Sequence, residues 1–145
     1  MTTPRPFLLA LLPVLLGVLG CSKHADESAL GGVGNDGPTT IAVPANLSEL
    51  MGKSDVKRGA ALYLSKGCKA CHNLTDVKLV GPGLKGIGGR RSALWMARMI
   101  LRPEVMIKED PEAKKLFAAM MAPMVNQAVA ADTELPALLA FLETL

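Results

Sequence analysis

Aromatic side chains are scarce in this chain of 145 residues: one tryptophan, one tyrosine and three phenylalanines. Its basic stretches therefore lack the interleaved aromatics on which nucleobases stack, which argues against a nucleic-acid binder. Cysteine occurs three times and histidine twice. A structural zinc site needs about four such ligands together, and Cys21 and His24 lie far from the other three. No strand-rich pattern surrounds the remaining cysteines, so the βαβ setting of a thioredoxin-like dithiol is missing. Long apolar runs are also lacking. The longest, Phe7 to Leu19, is too short to span a bilayer comfortably. The glycine-rich stretch from Gly81 to Gly89 is not followed by a Lys-Ser/Thr pair, which argues against a phosphate cradle.

What is present is concentrated in Cys68-Lys69-Ala70-Cys71-His72. Two thiols three positions apart sit on one turn of backbone and can each add to a haem vinyl group. The adjoining imidazole is then carried under the macrocycle, where Nε2 can bind iron. One haem c held through Cys68 and Cys71, with His72 as proximal ligand, is the expectation.

The first twenty residues read as an address. Arg5 supplies a thin positive region, Phe7 to Leu19 an apolar one, and the run ends in Val18-Leu19-Gly20-Cys21. That ending resembles a bacterial lipobox, which implies removal of residues 1–20 and lipidation of Cys21. Two thiols then go to haem and one to lipid, leaving none for a disulfide. Residues 21–50 contain Gly31-Gly32, Gly34-Asn35-Asp36-Gly37-Pro38 and Pro44 and show little apolar periodicity, so a flexible tether is expected. A chain of about 30 residues reaches roughly 30 Å. His24 within it reads as a solvated side chain.

Residues 51–145 are enough for one small domain, with helical periodicity throughout. A core of that size is marginal, and a buried macrocycle supplies much of its apolar centre. Ser54 is expected to cap a helix reaching Ser65. Ser92 caps a second that Pro103 breaks, Glu112 to Met121 form a short third, and Asp132 or Thr133 opens the last. Leu135, Leu138, Leu139 and Leu142 recur along that last helix, with Pro136 tolerated in its first turn. The fold class expected is all-α.

Residues 53–145 resemble class I cytochrome c, the mitochondrial cytochrome c-like family of monohaem proteins. Beside the haem motif, the likeness rests on Gly59 and Tyr63 ahead of it and on Gly81-Pro82-Gly83-Leu84-Lys85-Gly86-Ile87-Gly88-Gly89-Arg90 after it. It rests further on Ala140-Phe141-Leu142 near the end. The resemblance implies that the first and last helices cross at Gly59, against Leu138 and Phe141. It implies that the Pro82 carbonyl accepts a hydrogen bond from His72 Nδ1–H, and that Arg90 lies near a haem propionate. It also implies an axial methionine ahead of the last helix. Counting back from Ala140-Phe141-Leu142 gives Met124, with Met121 as the competing position. Trp95 is expected to pack beside the haem, or to turn its indole N–H toward a propionate.

A His/Met pair favours the ferrous state and leaves no vacant iron position, which points to an electron carrier and not an enzyme. From Lys53 to Arg91 nine basic residues face two acidic ones, with Lys66 and Lys69 beside the haem cysteines. Such a face suits docking onto the acidic patch of a redox partner. No small-molecule substrate and no nucleic acid is expected, and membrane contact comes through the lipid anchor on the periplasmic or outer face. The leading expectation is a membrane-tethered shuttle between respiratory components. A haem subunit or accessory factor of a terminal oxidase or nitrogen-oxide reductase is the alternative, and a haem-based sensor a third.

Overall fold

The computed structural model describes residues 36–145. The expected signal peptide, lipidated Cys21, His24 and the first part of the tether lie outside the described residues. Among those described there are seven α-helices and no strands, so the fold is all-α. They are α1 (Leu47–Gly52), α2 (Val56–Ser65), α3 (Ile87–Arg90), α4 (Ala93–Leu101), α5 (Pro103–Glu109), α6 (Pro111–Met120) and α7 (Leu135–Leu142). A single 3₁₀ turn, Cys68–Ala70, follows α2.

Local chemistry sets the helix ends. The cap of α2 is Asp55, whose carboxylate accepts the Lys57 N–H at 2.8 Å. Ser54, the expected cap, instead donates its hydroxyl to the Leu50 carbonyl at 2.7 Å and closes α1. Ser92 caps α4 as expected, accepting the Trp95 N–H at 3.1 Å. Pro103 does more than break a pattern: α4 stops at Leu101 and the proline takes the first position of a further helix, α5, where its missing N–H costs nothing. Asp110 then ends α5 and caps α6, accepting the Ala113 N–H at 2.8 Å. The last helix starts later than expected, at Leu135, and has no side-chain cap.

Helix α7 is apolar nearly all round, and Leu135, Leu138 and Leu139 are at most 1% exposed, so it forms the centre of the core. It crosses α2 at Gly59, where an added Cβ would lie 2.0 Å from the Ala137 carbonyl oxygen and 2.6 Å from Phe141 Cβ. At Gly59 itself the facing residues are Ala137 and Phe141. Tyr63 stacks at a tilt on Phe141, ring centroids 5.9 Å apart, one turn further along.

The expected tether does not run to residue 50. Residues 36–52 lie on the domain, with Ile41 and Leu47 buried at 4% and 2% exposure. The Ser92 hydroxyl donates to Asp36 Oδ1 at 2.5 Å, and Arg98 Nη1 donates to the carbonyl oxygen of Asp36 at 2.7 Å. The ordered unit therefore includes this strap and α1 as well as the expected 51–145.

Candidate haem-binding site

The haem motif follows directly from the end of α2. Gly67 takes a left-handed conformation, φ 75°, that few side chains tolerate, and ends the helix. The chain tightens into a turn in which the Cys68 carbonyl accepts from Cys71 N at 3.2 Å and from His72 N at 3.0 Å. Both thiols and the imidazole are thereby brought to one turn, half-buried, facing a cavity of about 520 Å³. Burial pushes the Cys68 thiol above its usual range; a backbone hydrogen bond opposes this and the neighbouring Cys71 adds to it. Tyr63 donates its hydroxyl to the His72 carbonyl oxygen, tying the turn to α2.

The imidazole is locked from the other side by the glycine-rich loop. His72 Nδ1 lies 2.9 Å from the Pro82 carbonyl oxygen. A carbonyl only accepts, so Nδ1 carries the hydrogen and Nε2 keeps its lone pair for a metal. Gly81 makes this approach possible, because a Cβ there would lie 2.9 Å from Nδ1 and 2.6 Å from Cε1. The loop is zipped onto the residues flanking His72 through Gly81 N to Cys71 O at 2.8 Å and Leu84 N to Asn73 O at 2.8 Å.

Arg90 lines the cavity, but its guanidinium is engaged by the same loop. Nη2 donates to the carbonyls of Gly83 at 3.0 Å and Lys85 at 2.9 Å, and Nε to that of Gly86 at 3.3 Å. Arg90 therefore stitches the loop, whatever it also does toward a propionate. Trp95 is 4% exposed and lines the cavity, in line with packing beside a macrocycle. Its indole N–H does not turn toward a propionate: it donates to buried Asp110 Oδ1 at 3.1 Å. Arg91 covers the ring, its guanidinium 5.0 Å from the centroid, and pairs with Glu112 at 3.3 Å.

Of the two competing methionines, Met124 lines the cavity and is half-buried. Met121 stands off the wall, 88% exposed, at the left-handed residue that ends α6. Sequence reasoning missed Asp110, although an acid directly before Pro111 is a helix-start signal. The ammonium of Lys66, beside the haem cysteines, pairs with Glu134 at 2.6 Å.

The residues present fit a haem. The cavity lies within the roughly 300–1,000 Å³ range of ligand sites. Apolar side chains such as Met96, Met99, Ile100, Leu116, Phe117 and Leu138 make much of its lining. Two thiols for covalent attachment and an imidazole with a free Nε2 stand together in its wall.

Comparison with solved structures places the fold beside a cytochrome c from Rhodothermus marinus, TM-score 0.59 and 24% identity over 75% of this chain and 89% of that one. An engineered cytochrome c from the same organism matches with TM-score 0.58, 24% identity, and 75% and 90% coverage. A form of that engineered protein bound to a carbene intermediate matches at TM-score 0.55. No curated protein matches the sequence. The description of the cytochrome c family matches residues 56–145, well over half of the chain. With the thiol pair, the locked imidazole and the helix crossing in place, the chain belongs to the cytochrome c family, which holds one haem c covalently through cysteines, here Cys68 and Cys71.

Proposed function

We propose that this protein is a membrane-tethered carrier of single electrons between respiratory-chain components, with His72 and Met124 as the axial ligands of its haem. Haem c supplies an iron that takes up and returns one electron. The chain does the rest. Cys68 and Cys71 fix the macrocycle, Pro82 orients His72 and strengthens it as a donor, and Met124 brings a neutral thioether that favours the reduced state. Two protein ligands leave no position for a substrate, which favours electron transfer over catalysis. The single observation that carries this reading is that Met124 shares one cavity wall-set with His72, whose Nε2 is left free by the Pro82 bond.

Docking falls to the cavity rim, where Val80, Phe117 and Val125 are 41–57% exposed. Lys69 and Lys85 are exposed in the flanking segments and are offered to an acidic partner patch. The apolar rim also favours a second reading, a haem subunit that stays bound to a terminal oxidase or nitrogen-oxide reductase. Among the described residues no helix is long and apolar enough to cross a membrane, and tethering is assigned to Cys21 on the lipobox-like sequence before it.

Purification from native membranes tests these assignments together. A shuttle comes away alone and is re-reduced by the membrane fraction at a rate that falls with salt; a subunit co-purifies in fixed stoichiometry. Mass spectrometry should show residues 1–20 gone and a diacylglyceryl mass on Cys21, and an unmodified Cys21 in native protein would sink the tether.

A further inference from the structure

The segment that carries Met124 is held at both ends by lysines that flank the haem motif in sequence. Lys78 Nζ donates to the Ala119 carbonyl at 3.1 Å, five residues before Met124. Lys66 Nζ donates to the Ala128 carbonyl at 3.1 Å, four residues after it. The backbone between these points is strained at both ends. Met121 and Ala128, with φ of 53° and 50°, are the non-glycine residues in the left-handed region among those described. A residue with a Cβ stays in that region only where its surroundings enforce it.

The enforcing contacts are visible on the far side of Met124. The Lys66 ammonium lies 2.6 Å from Glu134 Oε2, both side chains only 22–23% exposed, and the same oxygen accepts the Ala130 N–H at 2.8 Å. Asn126 accepts the Ala128 N–H at 2.7 Å and donates to the Leu101 carbonyl at 2.7 Å. On the near side Lys78 reaches the last turn of α6, where a cation also meets the negative end of the helix dipole.

We propose that Lys66 and Lys78 are positioning residues that clamp residues 119–128 and so keep Met124 over the haem, and that they are not docking lysines. This rests on Met124 being the distal ligand. A neutral thioether gains no charge attraction from iron, so its retention depends on the backbone that presents it.

Imidazole binding by the ferric holoprotein, followed in the visible spectrum, reads this directly, because imidazole must displace the distal ligand. Lys66→Met and Lys78→Met should each raise the apparent affinity roughly two- to tenfold, the scale of one lost solvent-exposed intramolecular hydrogen bond. The double variant should exceed either single, and Lys66→Arg should return most of the way to wild type. Lys57→Met removes the same charge from the exposed face of α2 without touching the segment, and should leave binding unchanged. Lys66→Met and Lys78→Met that both match Lys57→Met would overturn the clamp. Where Lys66→Met fails to mature with haem, Lys78→Met decides alone by the same comparison. The near-infrared thioether-to-iron band of the wild type separates the two questions. Its absence refutes Met124 ligation, whereas its presence with unchanged imidazole binding refutes only the clamp.

Discussion

Gly81 stands so close to His72 that a side chain added to it would begin 2.6 Å from the imidazole Cε1. The glycine and the histidine thus form one unit, in which the loop that orients the ring has also given up its own side chain to reach it. Gly81→Ala should push the ring off the Pro82 carbonyl and destabilise the holoprotein by about 1–3 kcal/mol, the usual cost of overpacking. Denaturant unfolding followed at the haem absorption checks this. An unchanged midpoint would mean that the loop moves aside freely.

Covalent attachment should survive denaturation. Acid–acetone extraction should leave the haem with the polypeptide in the wild type, through the two thiols on the Cys68–Cys71 turn. Cys68→Ala with Cys71→Ala should release all of it to the solvent.

The two methionines should separate cleanly. Met124→Ala should abolish the near-infrared charge-transfer band of the oxidised protein and lower its reduction potential. Met121→Ala should leave both nearly unchanged, since that side chain is 88% exposed and is not part of the cavity wall. The reverse pattern would move the ligand by three residues.

Glu143 offers a test of pH dependence. Burial at the end of α7 pushes its carboxyl above the usual range, so the folded state holds that proton more tightly than the unfolded one. Its contribution is favourable below the unfolded value and is lost as pH rises through the folded one. Glu143→Gln should therefore be slightly more stable than wild type at neutral pH. Solvent screening at this partly exposed site keeps the gain below about 1 kcal/mol. The difference should vanish in acid, where both are uncharged, as denaturant midpoints at the two pH values will show.

Much of the site was legible because its chemistry is local in sequence. The thiols and the imidazole share one turn, and the Pro82 bond to His72 spans ten residues carried by a recognisable loop. What escaped was set by distant contacts or by competing local rules. Residues 36–46 have the turn-rich composition of a tether, yet a few apolar anchors such as Ile41, together with Arg98 from α4, hold them on the domain. Helix α5 was hidden by Pro103, which reads as a breaker but acts as the first residue of α5. Ser54 and Asp55 were equivalent caps by residue type, and the carbonyl of Leu50 decided between them. Lys66 carries the composition of a docking residue, and Glu134, 68 positions on, gives it another partner.

The crossing at Gly59 bears on how the protein is made. Helix α2 leads into the thiols, and the surface it packs against belongs to α7, the last helix of the chain. During synthesis the first of these elements must wait for the last, because no earlier segment offers α2 the groove that Ala137 and Phe141 provide. Over that interval the cavity is missing Leu138 and Leu142 from its wall, and Cys68 and Cys71 stand on a turn not yet backed by a core. The thiols are thus most open before α7 docks, and its docking closes the wall behind them.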